Sequence, residues 1–336
     1  MDRRDFLKVG GAAAVTAGGA GTAAQSAPAI LPGATELRLA SPDLPDVPGI
    51  GPDRLARRIE LATGGRYRIT ATSDATTAEL AFGSVNRHRD HHPAFAFFAG
   101  LPLGLGLDAG RQQAWLAIGG GQMLWDDLAG RFGFKPLVAG HSGPSGGLWS
   151  ARRLEAPLDL QGARMHVEGM AAEVVRPFGA TPVHLAADDL RRGLAEGRID
   201  TAELLAPLVV AAPDLQPLAE RLYSPGLNAS GAALSLDVRR QVWDGLGAAD
   251  QAIFEACAAE AYALSLAEAQ GHEMMAAQFA GTAKWPVRSA LGGELRAALK
   301  RTAGEVLAQV AGYDLDARRI HDSHQAFRAM LDDLIA

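Results

Sequence analysis

Cysteine is nearly absent from this chain of 336 residues, in which Cys257 is the single example. An internal disulfide needs two cysteines and a thiolate metal cluster needs several, so the sequence excludes both. Cys257 stands in an Ala-rich stretch with helical spacing, where a cysteine is far more often a small core residue than a nucleophile. We therefore predict that its side chain packs in the interior.

The sequence also lacks clustered positive charge and, beyond its first residues, any long apolar run. Its 32 basic and 38 acidic residues give a net charge of −6, and no basic block marks a nucleic-acid surface. No segment supplies the ~20 apolar residues that span a bilayer. The 48% hydrophobic and 21% charged content is that of a globular protein, and nucleic acid is not an expected partner.

The first residues have the pattern of a twin-arginine export signal. Arg3 and Arg4 precede a mildly apolar, Ala/Gly-rich run over Val9–Ala20, and small residues follow up to Ala27. A short buried helix is the alternative, but each glycine in the run weakens a helix by roughly 1 kcal/mol relative to alanine. We predict that residues 1–27 are a signal peptide and that the mature protein is periplasmic.

Strand and helix patterns alternate through much of the chain. A strand over Glu36–Leu39, a helix over Asp53–Thr63 and a strand over Tyr67–Ala71 predict a β-α-β opening. The alternation continues with strands over Gly162–Val167, Thr181–Leu185 and Ile199–Leu204 and helices over Ala171–Phe178 and Ala187–Glu196. The pattern predicts an α/β fold with mostly parallel sheets, whose ligands sit at the carboxyl ends of the strands.

The last third of the chain has the pattern of long helices. Ala-rich amphipathic stretches predict helices over Ala248–Ala280, Ser289–Ala311 and Ala317–Leu334. Helices of this length without a further sheet can brace two lobes or form a homodimer surface. We expect a first lobe over residues 35–150, a second lobe over 151–235 and bracing helices over 236–336.

A series of motifs then identifies a family. The motifs are His92–Phe98 (HPAFAFF), Leu101–Gly104, Gln112–Leu116, Gly119–Gly121, Asp159–Gly162, Gly169–Val174, Leu194–Glu203 and Ser323–Arg328. In this order they resemble the periplasmic solute-binding proteins of tripartite ATP-independent (TRAP) transporters, most closely the branch that binds 2-oxo acids and related monocarboxylates. The resemblance covers nearly the whole chain after the signal.

The resemblance implies a fold, a ligand site and a partner. It implies a two-lobed periplasmic-binding-protein fold with hinge strands, in which the lobes close on a buried ligand. It also implies a membrane permease as partner, and it implies neither a cofactor nor enzyme activity. The chain is accordingly expected to deliver its ligand to a transporter.

Several ligand-site positions depart from the family pattern. Where the family has an arginine that holds the ligand carboxylate through two parallel hydrogen bonds, this chain has His166. Arg164 lies two residues earlier on the same face of the predicted strand and is a candidate for a displaced cation. A family tryptophan is replaced by Leu204, and a family tryptophan or glutamate near the hinge, depending on the alignment, is replaced by Asn228. We therefore predict no metal site.

Nine residues are candidates for ligand contact: His166, His141, Ser145, Arg164, Glu168, Glu203, Leu204, Asn228 and Trp149. The resemblance places both histidines at the mouth of the cleft, where imidazoles would suit a neutral or weakly acidic ligand and make binding depend on pH. The alternative is that they fill a decayed pocket. Glu203 is expected at the cleft end of its strand, and Asp200 in a turn. A buried tryptophan such as Trp149 usually only packs.

Catalytic and metal-binding patterns are weak. The segment His88–His92 has residue types that bind transition metals, but a solvated loop before an apolar strand at Ala94–Phe98 is the preferred interpretation. Ser145 lies in a Gly-rich segment without the acid and histidine partners of a hydrolase. Gly119–Gly121 lacks the lysine and serine or threonine of a P-loop. We predict that the protein is not an enzyme.

Two functions stay open at this point. The first is capture of a small organic ligand for a TRAP-type transporter. Burying a carboxylate without a charged partner is costly, so loss of the family arginine favours a less acidic or larger ligand. The second is an accessory or sensory interaction protein that no longer serves transport. Retained lobe closure would favour the first, and a rigid, ligand-free cleft the second.

Overall fold

The computed structural model describes residues 33–41, 51–205, 218–279 and 286–333. The predicted signal peptide lies outside these residues. Within the described ranges, no helix is both long enough and apolar enough to cross a membrane.

The described residues contain strands and helices in alternation. The strands are β1 Thr35–Ala40, β2 Tyr67–Thr72, β3 Leu80–Ser84, β4 Phe134–His141, β5 Ser145–Ser150, β6 Arg164–His166, β7 Thr181–Pro182, β8 Thr201–Leu205, β9 Arg221–Tyr223, β10 Ala233–Arg239 and β11 Val287–Ser289. The α-helices are α1 Asp53–Ala62, α2 Ala96–Ala99, α3 Ala109–Ala117, α4 Gly121–Gly130, α5 Met170–Val175, α6 Ala187–Ala195, α7 Arg240–Gly245, α8 Ala248–Phe279, α9 Gly293–Ala311 and α10 Leu315–Asp333.

The first sheet has the strand order β2-β1-β3-β10-β4. β1 is parallel to β2 and β3, whereas β10 runs antiparallel to β3 and β4. Side chains alternate along β1, because Leu37 and Leu39 are buried while Arg38 is partly exposed and pairs with Glu79. Helix α1 joins the core of this sheet through residues that include Ile59. The predicted β-α-β opening is therefore confirmed.

The second sheet has the strand order β11-β9-β5-β8-β6-β7. β8, β6 and β7 are parallel, and β5 runs antiparallel to β8 and β9. The chain enters this sheet between β4 and β5, returns to the first sheet between β9 and β10, and enters the second sheet again at β11. Each sheet with the helices packed on it forms one lobe, which confirms the expected two-lobed α/β fold.

The long C-terminal helices pack on both lobes. Helix α8 contributes Phe254 to the core of the first sheet. Helices α9 and α10 contribute Leu295 and Ile320 to another apolar core, which also contains Phe98 of the first lobe and Met165 of the second. That core is therefore continuous between the lobes. Burial of its side chains favours a single packed unit over two independent ones.

The lobe boundaries differ from those predicted. β5 pairs with β8 and β9, so the second lobe begins within Ser142–Pro144 and not after residue 150. β10 pairs with β3 and β4, so residues 233–239 belong to the first sheet and not to the second lobe or to the bracing helices. The alternation of Leu234, Leu236 and Val238 on one face explains this strand, since these side chains are buried.

The predicted strand at Ala94–Phe98 is wrong, because the segment is helical. A 3₁₀ turn over Pro93–Phe95 leads directly into α2. The His92 side chain caps this turn, with Nδ1 accepting from the Ala94 N–H at 3.2 Å. Proline at the first position of a helix has a suitable φ and needs no hydrogen-bond partner for a missing N–H. Ser289 likewise ends strand β11, and the helix predicted from it begins at Gly293.

Candidate ligand-binding site

Two of the segments through which the chain passes between the lobes lie in close contact. The Ser142 N–H donates to the Ala232 carbonyl at 2.9 Å, and the Ala232 N–H donates to the Ser142 hydroxyl at 2.9 Å. Gly231 has a φ of +78°, and a Cβ there would overlap the carbonyl oxygen of Gly143. Only glycine fits such a position. We call these four residues the crossing.

Three predicted site residues form a connected group beside the crossing. Glu203 on β8 accepts from the Asn228 N–H at 2.8 Å through Oε1 and from Asn228 Nδ2 at 2.9 Å through Oε2. The Ser145 hydroxyl also hydrogen-bonds this carboxylate. Burial raises the pKa of Glu203, and these hydrogen bonds oppose the rise. We call Ser145, Glu203 and Asn228 the hinge cluster.

His166 ends β6 and is buried, with 6% of its surface exposed. Its Nδ1 lies 3.2 Å from the Val183 carbonyl oxygen, and its ring centre lies 6.0 Å from that of His184. Burial lowers the pKa of His166, while the nearby Glu168 carboxylate opposes that shift. The imidazole therefore favours its neutral form, which can donate and accept hydrogen bonds but carries no charge for a carboxylate.

Glu168 connects His166 to the hinge cluster. Its exposed carboxylate lies 3.6 Å from His184 Nδ1, and its backbone carbonyl lies 3.4 Å from Asn228 Nδ2. The structure thus brings the segment after β6 next to the hinge cluster. Four predicted residues beyond His166 are joined in this way: Glu168, Asn228, Glu203 and Ser145.

His141 has a different environment, within the first lobe. It ends β4 with 2% exposure, its N–H donates to the Ser265 hydroxyl at 2.9 Å, and its ring lies edge-on to Tyr262. Its Nδ1 accepts from the Gly143 N–H at 3.1 Å. Burial lowers its pKa to about 4. These contacts come from helix α8 and the crossing, so His141 supports the crossing rather than extending the His166 region.

Three other predicted residues lie away from this group. The Arg164 guanidinium donates to Asp200 at 2.8 and 3.1 Å and is half-exposed, so it is already paired as a surface ion pair. Trp149 and Leu204 are buried in the core of the second lobe. Leu204 occupies that core because neighbouring residues of a strand point to opposite faces, and Glu203 takes the other face. The expected ligand contacts of Leu204 and Trp149 are therefore corrected to core packing.

A polar turn after β3 was missed by the sequence reasoning. The 3₁₀ turn Val85–His88 is followed by Arg89, whose guanidinium pairs with Glu173 of α5 in the second lobe. Asn86 lies against Gly169, where an added Cβ would stand 2.8 Å from Asn86 Oδ1. The Asn-Arg-His-Arg run has little apolar character and resembles a solvated loop. Neither this turn nor β3 is predicted from the sequence, and the one local signal is the density of polar side chains directly after the apolar residues of β3.

The histidine-rich segment is not a solvated loop. His88 Nε2 lies 2.6 Å from Asp237 Oδ2, and its ring stacks on Phe134. His92 is 2% exposed, and its Nε2 lies 3.0 Å from Asp314 Oδ2. Each imidazole is thus held by a separate carboxylate. Within the described part of the chain, no group of three or more His, Cys, Asp or Glu side chains is arranged to hold a metal ion.

Known proteins resemble this chain in sequence and in fold. A monocarboxylate 2-oxoacid-binding periplasmic protein from Nostoc sp. is 26% identical over 298 residues, which are 84% of this chain and 80% of that protein. A TRAP periplasmic solute binding protein from Pseudoalteromonas atlantica, solved with sodium and pyruvate, has a TM-score of 0.81 at 20% identity over 90% of this chain and 96% of its own. A TRAP transporter solute binding protein from Bordetella bronchiseptica, solved with calcium and picolinate, has a TM-score of 0.82 at 23% identity, over 90% and 94%.

The structural likenesses agree with the two-lobed α/β fold described above. Residues 62–311, well over half of the chain, match the family described as bacterial extracellular solute-binding protein, family 7. Members of this family are extracytoplasmic receptors for solutes. This chain belongs to family 7 of the bacterial extracellular solute-binding proteins.

Proposed function

We propose that this protein captures a small organic carboxylate between its two lobes and presents it to the permease of a TRAP-type transporter. The observation that carries the proposal is the hinge cluster, a group of buried polar side chains where the chain passes from one lobe to the other. Ligands of parallel sheets sit at the carboxyl ends of strands, and His166 ends β6 next to this group. The names of the relatives, which include 2-oxo acids, pyruvate and picolinate as ligands, support a monocarboxylate.

The test is a thermal-shift screen of the mature protein against pyruvate, picolinate, pyroglutamate and galacturonate, with glucose as a ligand of another class. A ligand at 100 times its Kd should stabilise the fold by about 2.7 kcal/mol, a clear rise in melting temperature. We expect a carboxylate to raise it, and His166→Ala and Asn228→Ala to reduce the rise. Arg164→Ala is the matched control, because its guanidinium is paired with Asp200.

Two outcomes of the screen would contradict the proposal. A shift with glucose alone would replace the carboxylate with another ligand class. No shift with any compound would leave the accessory or sensory role as the better account. Repeating the screen at pH 5 and pH 8 adds a second readout, because burial lowers the pKa of His166 and the ring therefore gains a positive charge for an anionic ligand only well below neutral pH.

The export route is part of the proposal. The paired residues Arg3 and Arg4 support the twin-arginine pathway, which carries folded proteins. Replacing both arginines with lysine should leave the precursor in the cytoplasm, as measured by fractionation and immunoblotting. Unchanged delivery of the variant to the periplasm would show that another route is used.

A further inference from the structure

The turn after β3 directs two side chains toward the second lobe. In a 3₁₀ helix, residues three apart lie on the same side, and the Arg89 N–H donates to the Asn86 carbonyl at 3.1 Å. Asn86 accordingly faces Gly169, and Arg89 faces Glu173. Gly169 and Glu173 follow His166 in the sequence by three and seven residues. The turn therefore lies against the segment that leads away from the predicted ligand site.

The polar groups of this turn have unused hydrogen-bonding capacity. The Arg89 side chain is 12% exposed, whereas that of Glu173 is 39% exposed. Among the described residues, Arg89 Nε and Asn86 Oδ1 are buried without a hydrogen-bond partner. Buried polar atoms are nearly always paired, so two unpaired atoms at one lobe contact point to a missing ligand.

Two other described arginines in this part of the molecule are already engaged. Arg87 donates to the Ser84 carbonyl and pairs with Asp237 inside the first lobe. Arg164 is held by Asp200. A buried carboxylate ligand needs a charged partner, and His166 favours its neutral form. Of the three described arginines Arg87, Arg89 and Arg164, Arg89 is the one with a buried N–H that lacks a hydrogen-bond partner.

We propose that Arg89 receives the carboxylate of the ligand in this chain, in place of the arginine absent at position 166. Its Nε–H and terminal N–H groups offer the planar fork that a carboxylate accepts. Asn86 Oδ1 is an acceptor, so it suits a hydrogen-bond donor beside the carboxylate, such as the ring N–H of pyroglutamate. Glu173 is the counter-anion that pairs with the guanidinium when the lobes meet without a ligand between them. This inference rests on the proposed function and assigns it a small monocarboxylate.

The test compares Arg89→Gln with Glu173→Gln by calorimetric titration of pyruvate, picolinate and pyroglutamate and of their neutral carboxamides. Loss of a charged hydrogen bond should weaken carboxylate binding by Arg89→Gln about 10- to 100-fold. Carboxamide binding should change much less. Glu173→Gln removes an anion that competes with the ligand, so it should bind the carboxylates at least as tightly as the wild type.

The outcomes separate this inference from the proposed function. Carboxylate binding by the wild type that is unchanged in Arg89→Gln would overturn the role of Arg89 and leave the proposed function intact. Equal weakening by Arg89→Gln and Glu173→Gln would also overturn it, because the pair would then only hold the lobes together. A wild type that binds none of the three carboxylates would overturn both.

A second variant covers misfolding of Arg89→Gln. Arg89→Lys keeps the charge opposite Glu173 but loses the planar fork. It should bind carboxylates more weakly than the wild type and more tightly than Arg89→Gln, with the melting temperature of the unliganded protein preserved. Wild-type affinity in Arg89→Lys would show that the fork is not used and would contradict the assignment.

Discussion

Two contacts between the lobes, the crossing and the turn at Asn86, are made by different kinds of group. At the crossing, backbone groups and the Ser142 hydroxyl are in hydrogen-bond contact, and glycine leaves no space between the segments. At the turn, the side chains of Asn86 and Arg89 reach across to Gly169 and Glu173. Side-chain contacts can be exchanged when lobes rotate, whereas a tightly packed backbone crossing is suited to be the axis. The difference indicates that the lobes separate at the turn and rotate about the crossing.

The largest expected effect comes from filling the crossing. In Gly231→Ala, the new Cβ would overlap the Gly143 carbonyl and the residue would keep a positive φ. We expect a loss of about 3 to 5 kcal/mol in the free energy of unfolding, measured by urea denaturation. Gly104→Ala is the matched control, because Gly104 has a φ of +74° with nothing within 4 Å. It should lose only about 1 kcal/mol. Equal losses would show that the crossing tolerates a larger separation.

The crossing was only partly visible in the sequence. Periodic patterns predicted the β-α-β opening and the long C-terminal helices because their stabilising contacts lie on one regular face. The predicted boundary between the lobes, after residue 150, came too late in the chain, because β5 already pairs with strands of the second sheet. Which sheet a strand joins depends on partners far along the sequence. β10 shows this, because it pairs with β3 about 150 residues earlier.

The turn was the harder region to predict. Arg89 and Glu173 are separated by 84 residues, so neither position shows its partner locally. Leu204 illustrates the opposite error, where a family position suggested a ligand contact. Successive side chains of β8 point to opposite faces of the sheet. Glu203 therefore reaches Asn228 on one face, and Leu204 lies in the core on the other. Local periodicity was the better guide there.

The second prediction concerns pH and the buried histidine beneath the crossing. Burial lowers the pKa of His141 from 6.5 to about 4, so the unfolded chain accepts a proton that the folded protein resists. Stability is therefore fully present above pH 6.5 and is lost as pH falls toward 4, by about 2 kcal/mol at pH 5. His141→Asn keeps an acceptor for Gly143 and should reduce this slope in urea denaturation between pH 7.5 and 4.5.

His324 serves as the internal comparison for that titration. Burial also lowers its pKa to about 4, so the slope of His141→Asn should shrink without vanishing. The double variant His141→Asn with His324→Asn should be flatter still. A slope that is the same in the wild type and in His141→Asn would mean that His141 titrates normally and that the region beneath the crossing admits water.

The third prediction concerns the opening edge. In Gly169→Ala, a Cβ would press on the Asn86 side chain at 2.8 Å. We expect the closed form to be destabilised by about 1 to 2 kcal/mol, which would weaken the affinity for the bound carboxylate roughly 5- to 30-fold. The radius of gyration measured by X-ray scattering should increase. Gly197→Ala is the control, since Gly197 has a φ of +65° and open space. If both variants bind equally, contact at the turn does not contribute to closure.

The smallest expected effect is that of Arg164→Ala. This guanidinium is 46% exposed and paired with Asp200, so solvent screens the pair and its removal should change the melting temperature little. Affinity for the bound carboxylate, measured by calorimetric titration, should stay within about two-fold of the wild type. Asp200→Asn tests the same pair from the other side and should behave alike. Binding could instead be strongly weakened in Arg164→Ala and normal in Asp200→Asn. That result would show that Arg164 leaves Asp200 to bind the ligand, so that the arginine that holds the carboxylate would be Arg164 of the second lobe.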